Sequence, residues 1–386
     1  MPRRVDDRLV VWGSDVDDLT IDQARIAASL PVVSGHVALM PDAHIGKGAT
    51  IGSVIPTESA AIPSAVGVDI GCGMVAVRTD VHQSRLPDDL GRLLRRIEQA
   101  IPAGVGKGHA GVTDAAHGWL RAHPPPSHLE DRQVLKTLEQ FGTLGSGNHF
   151  FELSVDEEQR VWLVLHSGSR GIGNELATKH IARAKRDMAD VLTTLGDPDL
   201  AYFVQGTRAF DAYIADMRWA QEYAMANRAQ MMDAGTRVLF EYLGVGEEIE
   251  RINCHHNFAQ QEDHGGRVVW ITRKGAIKAD RGDMGIIPGS MGSKTFIVRG
   301  KGNPLSYNSC SHGAGRKLSR KQARKRLSLE DFAVAMQGKT WNQRRARELL
   351  DECPGAYKDI ATVMRDQQDL VEVVHELDQL VNYKGL

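Results

Sequence analysis

The sequence of 386 residues has few cysteines, no long apolar run and almost no net charge, and each absence excludes a class of protein. Its four cysteines lie far apart without a CxxC pair, which argues against a disulfide framework. Its apolar runs fall far short of the about 18 residues of a membrane-spanning helix, and the N-terminal segment lacks the apolar core of a signal peptide. We therefore expect a cytoplasmic protein without a membrane partner.

The formal net charge of −2 provides no global basic field for nucleic acid, so any RNA-binding surface must be local. The hydrophobic content of 42% is enough for a full core. Short β-branched segments between glycines and prolines predict strands in the first third. We predict an α/β (α+β) fold with central β-sheets surrounded by helices, in a single domain over residues 1–386.

Helical periodicity predicts long helices that cover the sheets and lie outside any site. Further along the chain, a basic helix and a mostly helical C-terminal tail are expected. The predicted helical segments are 129–141, 174–195, 208–243, the basic helix 316–327, and the tail 328–386.

Five short strings place chemically active side chains among glycines and small polar residues. Imidazoles in such surroundings have donors and acceptors to satisfy but little to pack against, so a chemical role is favoured over core filling. Four strings contain histidine and the fifth contains an aspartate and a cysteine: GNHFFE (147–152), LHSGSRG (165–171), NCHHNF (253–258), SCSHGAGR (309–316) and GVDIGCGM (67–74).

The Asp/Cys/His combination is typical of a metal centre. Asp69 and Cys72 flank a glycine turn on which carboxylate and sulfur can converge, and a thiolate with a carboxylate and imidazoles suits Mn(II), Zn(II) or Fe(II). His149 and His166 lie at the ends of predicted strands, where ligands are commonly placed. The alternatives are a buried cysteine beside a turn-capping aspartate, and core histidines with satisfied hydrogen bonds.

Strand periodicity separates neighbouring side chains in two of the strings. His255 and His256 would face opposite ways, so only one of them is expected to bind a metal. Glu152 would reach the site of His149 only if the strand begins with a bend.

The segment 309–328 combines His312, a Gly-Ala-Gly turn and seven cations without an acidic residue before Glu330. A glycine turn that opens into a helix N-terminus can bind phosphate, and the cations extend that surface. We interpret it as a site for polyphosphate or a nucleic-acid backbone, the alternative being a solvated helix face. PGSMGSKT (288–295) lacks the spacing of a P-loop but is a candidate glycine-rich loop for a phosphate or base.

Taken together, the motifs resemble the RtcB family, the GTP-dependent RNA ligases of tRNA splicing and RNA repair. The resemblance runs in order along nearly the whole chain and implies an RtcB-type fold. It adds the following motifs to the five strings: MPDAHIGKGATIGSVIP (40–56), RKGA (273–276), PGSMGS, AYKDI (356–360) and the terminal NYKGL.

The resemblance implies roles for individual residues. His312 would attack the α-phosphate of GTP and carry GMP through a phosphoramidate bond. One or two Mn(II) ions would be held by Asp69, Cys72, His149, His166 and His256. Contacts with the guanylate would come from Asn148, Glu152, Ser290, Gly313, Ala314, Gly315, Tyr357 and Lys384. Contacts with RNA or its phosphates would come from Asp42, Arg316, Lys317 and Arg320.

The implied activity joins RNA 3′-phosphate or 2′,3′-cyclic phosphate ends to 5′-hydroxyl ends, with tRNA halves or damaged RNA as substrates and an archease-type activator as a partner. Departures from the family pattern, such as RKGAIKA (273–279), spare the nucleophile and ligands and are compatible with a divergent repair paralogue. Two rivals are a dinuclear metal phosphoesterase acting on RNA ends and a noncatalytic RNA-binding protein or chaperone.

Overall fold

The computed structural model describes residues 2–385, in which strands and helices alternate along the chain. The strands are β1 Arg3–Asp6, β2 Leu9–Val11, β3 Val37–His44, β4 Ile51–Thr57, β5 Ala60–Ala61, β6 Gly73–His82, β7 Phe150–Val155, β8 Arg160–Ser167, β9 Phe203–Val204, β10 Glu248–His255, β11 Asn257–Asp263, β12 Val268–Lys274, β13 Ala276–Lys278, β14 Met284–Pro288, β15 Thr295–Gly300, β16 Ser309–Ser311, β17 Thr340–Trp341 and β18 Val371–Lys384. The α-helices are α1 Asp18–Ala28, α2 Pro63–Val66, α3 Gly91–Ala100, α4 Asp114–Ala122, α5 Asp131–Gln140, α6 Arg170–Asp187, α7 Arg208–Leu243, α8 Arg320–Arg326, α9 Leu329–Ala335, α10 Ala346–Leu349 and α11 Ile360–Asp366.

Two sheets form the centre of the molecule. The first has the order β1-β2-β3-β4-β12-β11, and the second has the order β10-β6-β8-β7-β18-β15-β14 with β17 paired to β18. Most neighbours are antiparallel, while β2 and β3, and β17 and β18, run parallel. The predicted α/β (α+β) class with helices around central sheets is therefore confirmed.

The second sheet is buried on both faces at its centre, which explains the continuous apolar runs of β6 and β8. One face packs against α7, where Met231 and Leu239 meet Val77 and Leu163. On the other face, Trp162 packs in an apolar cluster with residues of β10, β14 and β15 of the same sheet. This packing fixes the ends of β6, β7 and β8, from which the glycine-rich strings emerge.

Helix α7 has the predicted bounds because both of its ends are specified locally. The Thr207 side chain accepts a hydrogen bond from the Phe210 backbone N–H at the N-terminus. Gly244, with φ 69°, ends the helix in the left-handed conformation that glycine adopts without strain. No helix within residues 2–385 is long and apolar enough to cross a membrane.

The helical prediction for the tail 328–386 is wrong at its C-terminal end. Val371–Lys384 forms the 14-residue strand β18, which pairs with β7 and β15. The apolar pattern of this segment is compatible with both a helix and a strand. Pairing with two strands that are distant in sequence stabilises the strand.

The prediction of a basic helix over 316–327 is also too long. Ser319 caps the helix and forms a capping box with Gln322, so α8 covers only Arg320–Arg326. The Gly-Ala-Gly turn at 313–315 therefore does not open directly into a helix N-terminus. The predicted helix at 174–195 begins earlier, at Arg170, and its α-helical part ends at Asp187.

Two helical glycines should respond to alanine with opposite signs. A Cβ at Gly235 in α7 would lie 2.3 Å from the fully buried Phe151 ring, whereas a Cβ at Gly118 in α4 would meet no atom within 4 Å. We expect Gly235→Ala to lower the free energy of unfolding by about 1–3 kcal/mol through overpacking. Gly118→Ala should raise it by about 0.5–1 kcal/mol. Urea denaturation measures both, and a Gly235→Ala protein as stable as wild type would contradict the packing.

Candidate functional site

Two groups of candidate metal ligands share the sulfur of Cys72. The first consists of Asp69, Cys72 and His149, and the second of Cys72, His166 and His256, with the ligand atoms of each group within 4.8 Å of one another. Cys72 Sγ lies 3.2 Å from His166 Nε2 and 3.6 Å from His149 Nε2. The remaining contacts are 3.0 Å from His149 Nε2 to Asp69 Oδ2 and 3.2 Å between the Nε2 atoms of His166 and His256. The structure thus brings together all five predicted ligands.

Backbone carbonyls orient two of the rings. The Leu144 carbonyl lies 2.8 Å from His149 Nδ1, and the Asn148 carbonyl lies 3.1 Å from His166 Nδ1. Because a carbonyl only accepts hydrogen bonds, Nδ1 carries the proton and Nε2 presents a lone pair to the group. Lone pairs of nitrogen, sulfur and carboxylate oxygen then converge at short range. This donor set fits a borderline divalent cation, including Mn(II).

The electrostatics of the groups agree with a cation site. Burial lowers the pKa of His166 and His256 well below its usual value, so both rings are neutral and able to coordinate. Burial, with the charge of Asp69, raises the pKa of the Cys72 thiol well above its usual value. Burial also opposes ionisation of Asp69, but hydrogen bonding and charge from His149 lower its pKa overall. A bound cation would supply the compensation that the thiolate needs.

Of the neighbouring histidines 255 and 256, only His256 joins the ligand groups. His255, the last residue of β10, has its Nδ1 2.9 Å from the Gly71 carbonyl, whereas His256 lies in the bend between β10 and β11. The strand β7 begins at Phe150, after His149, so His149 does not follow the alternation of the strand. Glu152 lines the same cavity as four of the five candidate ligands, Asp69, Cys72, His166 and His256.

His312 follows strand β16 and lies beside the second ligand group. Its ring centroid is 4.9 Å from that of His256, and its Nδ1 is 2.6 Å from Asp42 Oδ2. The same Asp42 oxygen accepts hydrogen bonds of 3.2 Å from the backbone N–H groups of His312 and Gly313. A neutral ring with its proton on Nδ1, facing this carboxylate, would have its free lone pair on Nε2.

Gly315 is required by the approach of the turn to Asp42. Its φ of +74° favours glycine, and a Cβ there would lie 2.1 Å from the Asp42 carbonyl oxygen. Any other residue would push the turn, and His312 with it, away from the carboxylate.

These groups open into a cavity of about 440 Å³, a size typical of small-ligand sites. All of the residues predicted to contact the guanylate line it: Asn148, Glu152, Ser290, Gly313, Ala314, Gly315, Tyr357 and Lys384. Arg316 and Arg320 line it as well. Lys317 is exposed and is not among the described residues that line the cavity. Asp42 is fully buried. The buried Asp42 carboxylate contacts His312, and its contact with RNA stays a prediction.

An acidic pair that the sequence reasoning missed neutralises much of the basic segment. Glu352 lies 2.8 Å from Lys384 Nζ and 2.5 Å from Arg320 Nη1, and it accepts a hydrogen bond of 2.8 Å from the Tyr357 hydroxyl. Asp351 lies 3.1 Å from Arg324 Nη2. Burial opposes ionisation of Glu352, but the charges of Lys384 and Arg320 dominate and lower its pKa to about 2. The available signal was the pair Asp351-Glu352 just before the AYKDI motif.

Arg228 is the second missed residue, because α7 was predicted to cover the sheets without contributing to a site. Its fully buried guanidinium donates to the carbonyls of Gly71 at 2.7 Å and Ser167 at 3.2 Å, and to Asn253 Oδ1 at 2.9 Å. Three of the five strings are thereby tied to one side chain. The only signal in the sequence was an arginine on the inward face of an otherwise apolar helix.

The number of bound Mn(II) ions tests whether both ligand groups share the sulfur of Cys72. We expect two Mn(II) sites in the wild type, one in His256→Ala, and loss of both in Cys72→Ala, since both groups lose a ligand. Titration followed by electron paramagnetic resonance counts the bound ions. Cys353→Ala, at a buried cysteine in a separate apolar cluster, is the matched control and should keep both sites. Two intact sites in Cys72→Ala would contradict the arrangement.

The support that the hydrogen bonds of Arg228 give to the ligand-bearing loops can be tested separately from the metal ligands. Arg228→Met removes the hydrogen bonds to Gly71 and Ser167 while keeping an apolar stem of similar length. We expect Mn(II) affinity to fall by about 10–100-fold, the usual cost of losing support behind metal ligands. Arg237→Met, at an exposed position of the same helix, should bind as wild type does. Unchanged affinity in Arg228→Met would show that the strings hold their positions without it.

Comparison with known proteins agrees with the site. A family model described as tRNA-splicing ligase RtcB matches residues 23–385. The RNA-splicing ligase RtcB of Escherichia coli is 45% identical, with 93% of this chain and 92% of the relative covered. The tRNA-splicing ligase RtcB of Nanoarchaeum equitans is 31% identical, with 94% and 88% covered, and the RNA-splicing ligase RtcB of Mycobacterium tuberculosis is 30% identical, with 93% and 99% covered. With a family model matched over nearly its whole length and a candidate nucleophile beside its ligand groups, the chain belongs to the RtcB family of tRNA-splicing ligases.

Proposed function

We propose that this protein is a GTP- and manganese-dependent RNA ligase that joins 3′-phosphate or 2′,3′-cyclic phosphate ends to 5′-hydroxyl ends, in tRNA splicing or RNA repair. The observation that carries the proposal is the position of His312. Its Nδ1 is held 2.6 Å from Asp42 while its ring lies beside His256 in the cavity. Family membership supports RNA ends as the substrate.

The contact with Asp42 prepares His312 for nucleophilic attack. A proton fixed on Nδ1 leaves Nε2 unprotonated, and the carboxylate stabilises the positive charge that the ring acquires when Nε2 bonds to phosphorus. Nε2 would attack the α-phosphate of GTP, pyrophosphate would leave, and His312 would carry GMP. Mn(II) at the two ligand groups would supply neutralisation of the phosphate charge.

The later steps transfer the nucleotide and then seal the RNA. An oxygen of the RNA 3′-phosphate takes GMP from His312, and the 5′-hydroxyl oxygen then attacks the 3′-phosphorus while GMP leaves. A cyclic phosphate end must first be opened by water to a 3′-phosphate. The residues proposed to hold the guanylate during these steps are Asn148, Glu152, Ser290, Gly313, Ala314, Gly315, Tyr357 and Lys384.

The ion pairs with Glu352 separate the cations at the cavity from those that are proposed to contact the RNA backbone. Arg316 and Arg320 already lie within 3.6 Å and 2.5 Å of Glu352, so they are proposed to act at the cavity mouth. Lys317, Lys321 and Lys325 are exposed, and none forms an ion pair within residues 2–385. These lysines are proposed to contact the RNA backbone. A cytoplasmic location, an archease-type activator, and tRNA halves or damaged RNA as substrates stay predictions.

Covalent labelling tests the proposal against a dinuclear metal phosphoesterase, which the two adjacent ligand groups would also suit. With Mn(II) and GTP labelled at the α-phosphate, the wild type should acquire acid-labile, alkali-stable label. His312→Ala should acquire none, and Asp42→Asn should label about 100-fold more slowly, because the amide cannot stabilise the charged ring. His117→Asn, at an exposed histidine of α4, is the control.

Equal labelling of His312→Ala and wild type would refute the assignment of the nucleophile. Opening of cyclic phosphate ends by a wild type that never acquires label would favour the phosphoesterase.

A further inference from the structure

His44 is a second imidazole that contacts Asp42. It ends strand β3 and lines the same cavity as His312. Its Nδ1 lies 3.0 Å from the Asp42 backbone carbonyl, while His312 Nδ1 lies 2.6 Å from the Asp42 carboxylate. One aspartate therefore orients two cavity histidines, through its carbonyl and through its carboxylate.

The carbonyl contact fixes the tautomer of His44. A carbonyl cannot donate, so Nδ1 carries the proton and Nε2 has the lone pair. Burial lowers the pKa of His44 to about 4, with the nearby His312 contributing in the same direction. The ring is therefore neutral near pH 7, with its basic nitrogen unused by the backbone.

Apart from Lys47, which is exposed, the other titratable groups of the described lining have other partners. Asp69, Cys72, His166 and His256 belong to the ligand groups. Lys274 donates to the carbonyls of Lys47 and Ser64 at 2.6 and 3.0 Å. Burial lowers the pKa of Lys274 to about 8, so its ammonium form still predominates near pH 7.

The remaining acidic and phenolic groups are also engaged. The Tyr357 hydroxyl donates to Glu352, and Lys384 pairs with the same carboxylate. Burial raises the pKa of Glu152 to about 8, and Asn382 donates to its Oε1 at 2.8 Å. A carboxyl that keeps its proton near pH 7 cannot remove another, so His44 is the available neutral base.

Two steps of the proposed reaction need such a base. When GTP reacts with His312, the attacking atom is a lone pair on nitrogen, and when GMP moves to the RNA end it is an anionic phosphate oxygen. Neither attack releases a proton. Sealing uses a 5′-hydroxyl and opening of a cyclic phosphate uses water, and both nucleophiles lose a proton as the bond to phosphorus forms.

We propose that His44 is the general base for these two attacks, an inference that rests on the proposed function. In sealing, the 5′-oxygen forms the new bond to the 3′-phosphorus, GMP leaves with the electrons of its bond, and the proton passes to His44 Nε2. In opening, the water oxygen bonds to phosphorus as the bond to the 2′-oxygen breaks. His44 takes the water proton and returns it to the departing 2′-oxygen.

The test separates the proton-taking steps from the others. His44→Asn places an amide N–H near the position of Nδ1, which can keep the hydrogen bond to the Asp42 carbonyl, but removes the basic nitrogen. Four single-turnover reactions are measured: labelling of the protein by GTP, transfer of GMP to a 3′-phosphate RNA, sealing of a chemically prepared RNA-3′-pp-5′-G end to a 5′-hydroxyl RNA, and opening of a cyclic phosphate RNA. His117→Asn is the matched control.

We expect sealing and opening to fall by about 100-fold or more in His44→Asn, the range of general base catalysis. Labelling and transfer should continue, so that RNA capped with GMP accumulates. Sealing and opening at the wild-type rate would overturn the proposal, and so would an equal loss of all four reactions, which would mean that His44 only supports Asp42 and His312. If the wild type itself acquires no label, the proposed function fails instead.

Discussion

The site depends on one buried guanidinium. The loops that carry the candidate ligands are rich in glycine, which gives them conformational freedom and little side-chain surface for packing. Arg228 compensates by donating to carbonyls at Gly71 and Ser167 and to the Asn253 amide oxygen. The planar fork of an arginine can reach three acceptors in fixed directions, which the single ammonium of a lysine cannot match. Glycine then allows sulfur, carboxylate and imidazole to converge, while α7 supplies the rigidity.

Two further residues, Cys72 and Asp42, each contact two chemical groups of the site. Cys72 is common to both ligand groups, so two cations bound there would be neighbours facing the same cavity. His312 lies beside these groups, with its Nδ1 at Asp42 rather than among the ligand atoms. His44 meets the other side of the same aspartate. Asp42 thus contacts both histidines and couples their positions.

Local patterns predicted much of this arrangement. The glycine-rich strings gave the residues that converge in the cavity, and capping at both ends gave α7 its predicted bounds of 208–243. The failures have a common cause in partners distant in sequence. Strand β18 forms because β7 and β15 lie on either side of it, and the basic segment is neutralised by acids about thirty residues further on. Arg228 looked like one more residue of a covering helix because its three acceptors belong to other segments. The ligand and guanylate roles of the convergent residues stay predictions.

Anomalous diffraction at the manganese edge, from crystals grown with Mn(II), tests the central claim most directly. The account predicts two manganese peaks that share Cys72 Sγ as a ligand, one completed by Asp69 and His149 and the other by His166 and His256. Manganese bound without Cys72, or confined to a part of the molecule remote from His312, would contradict it.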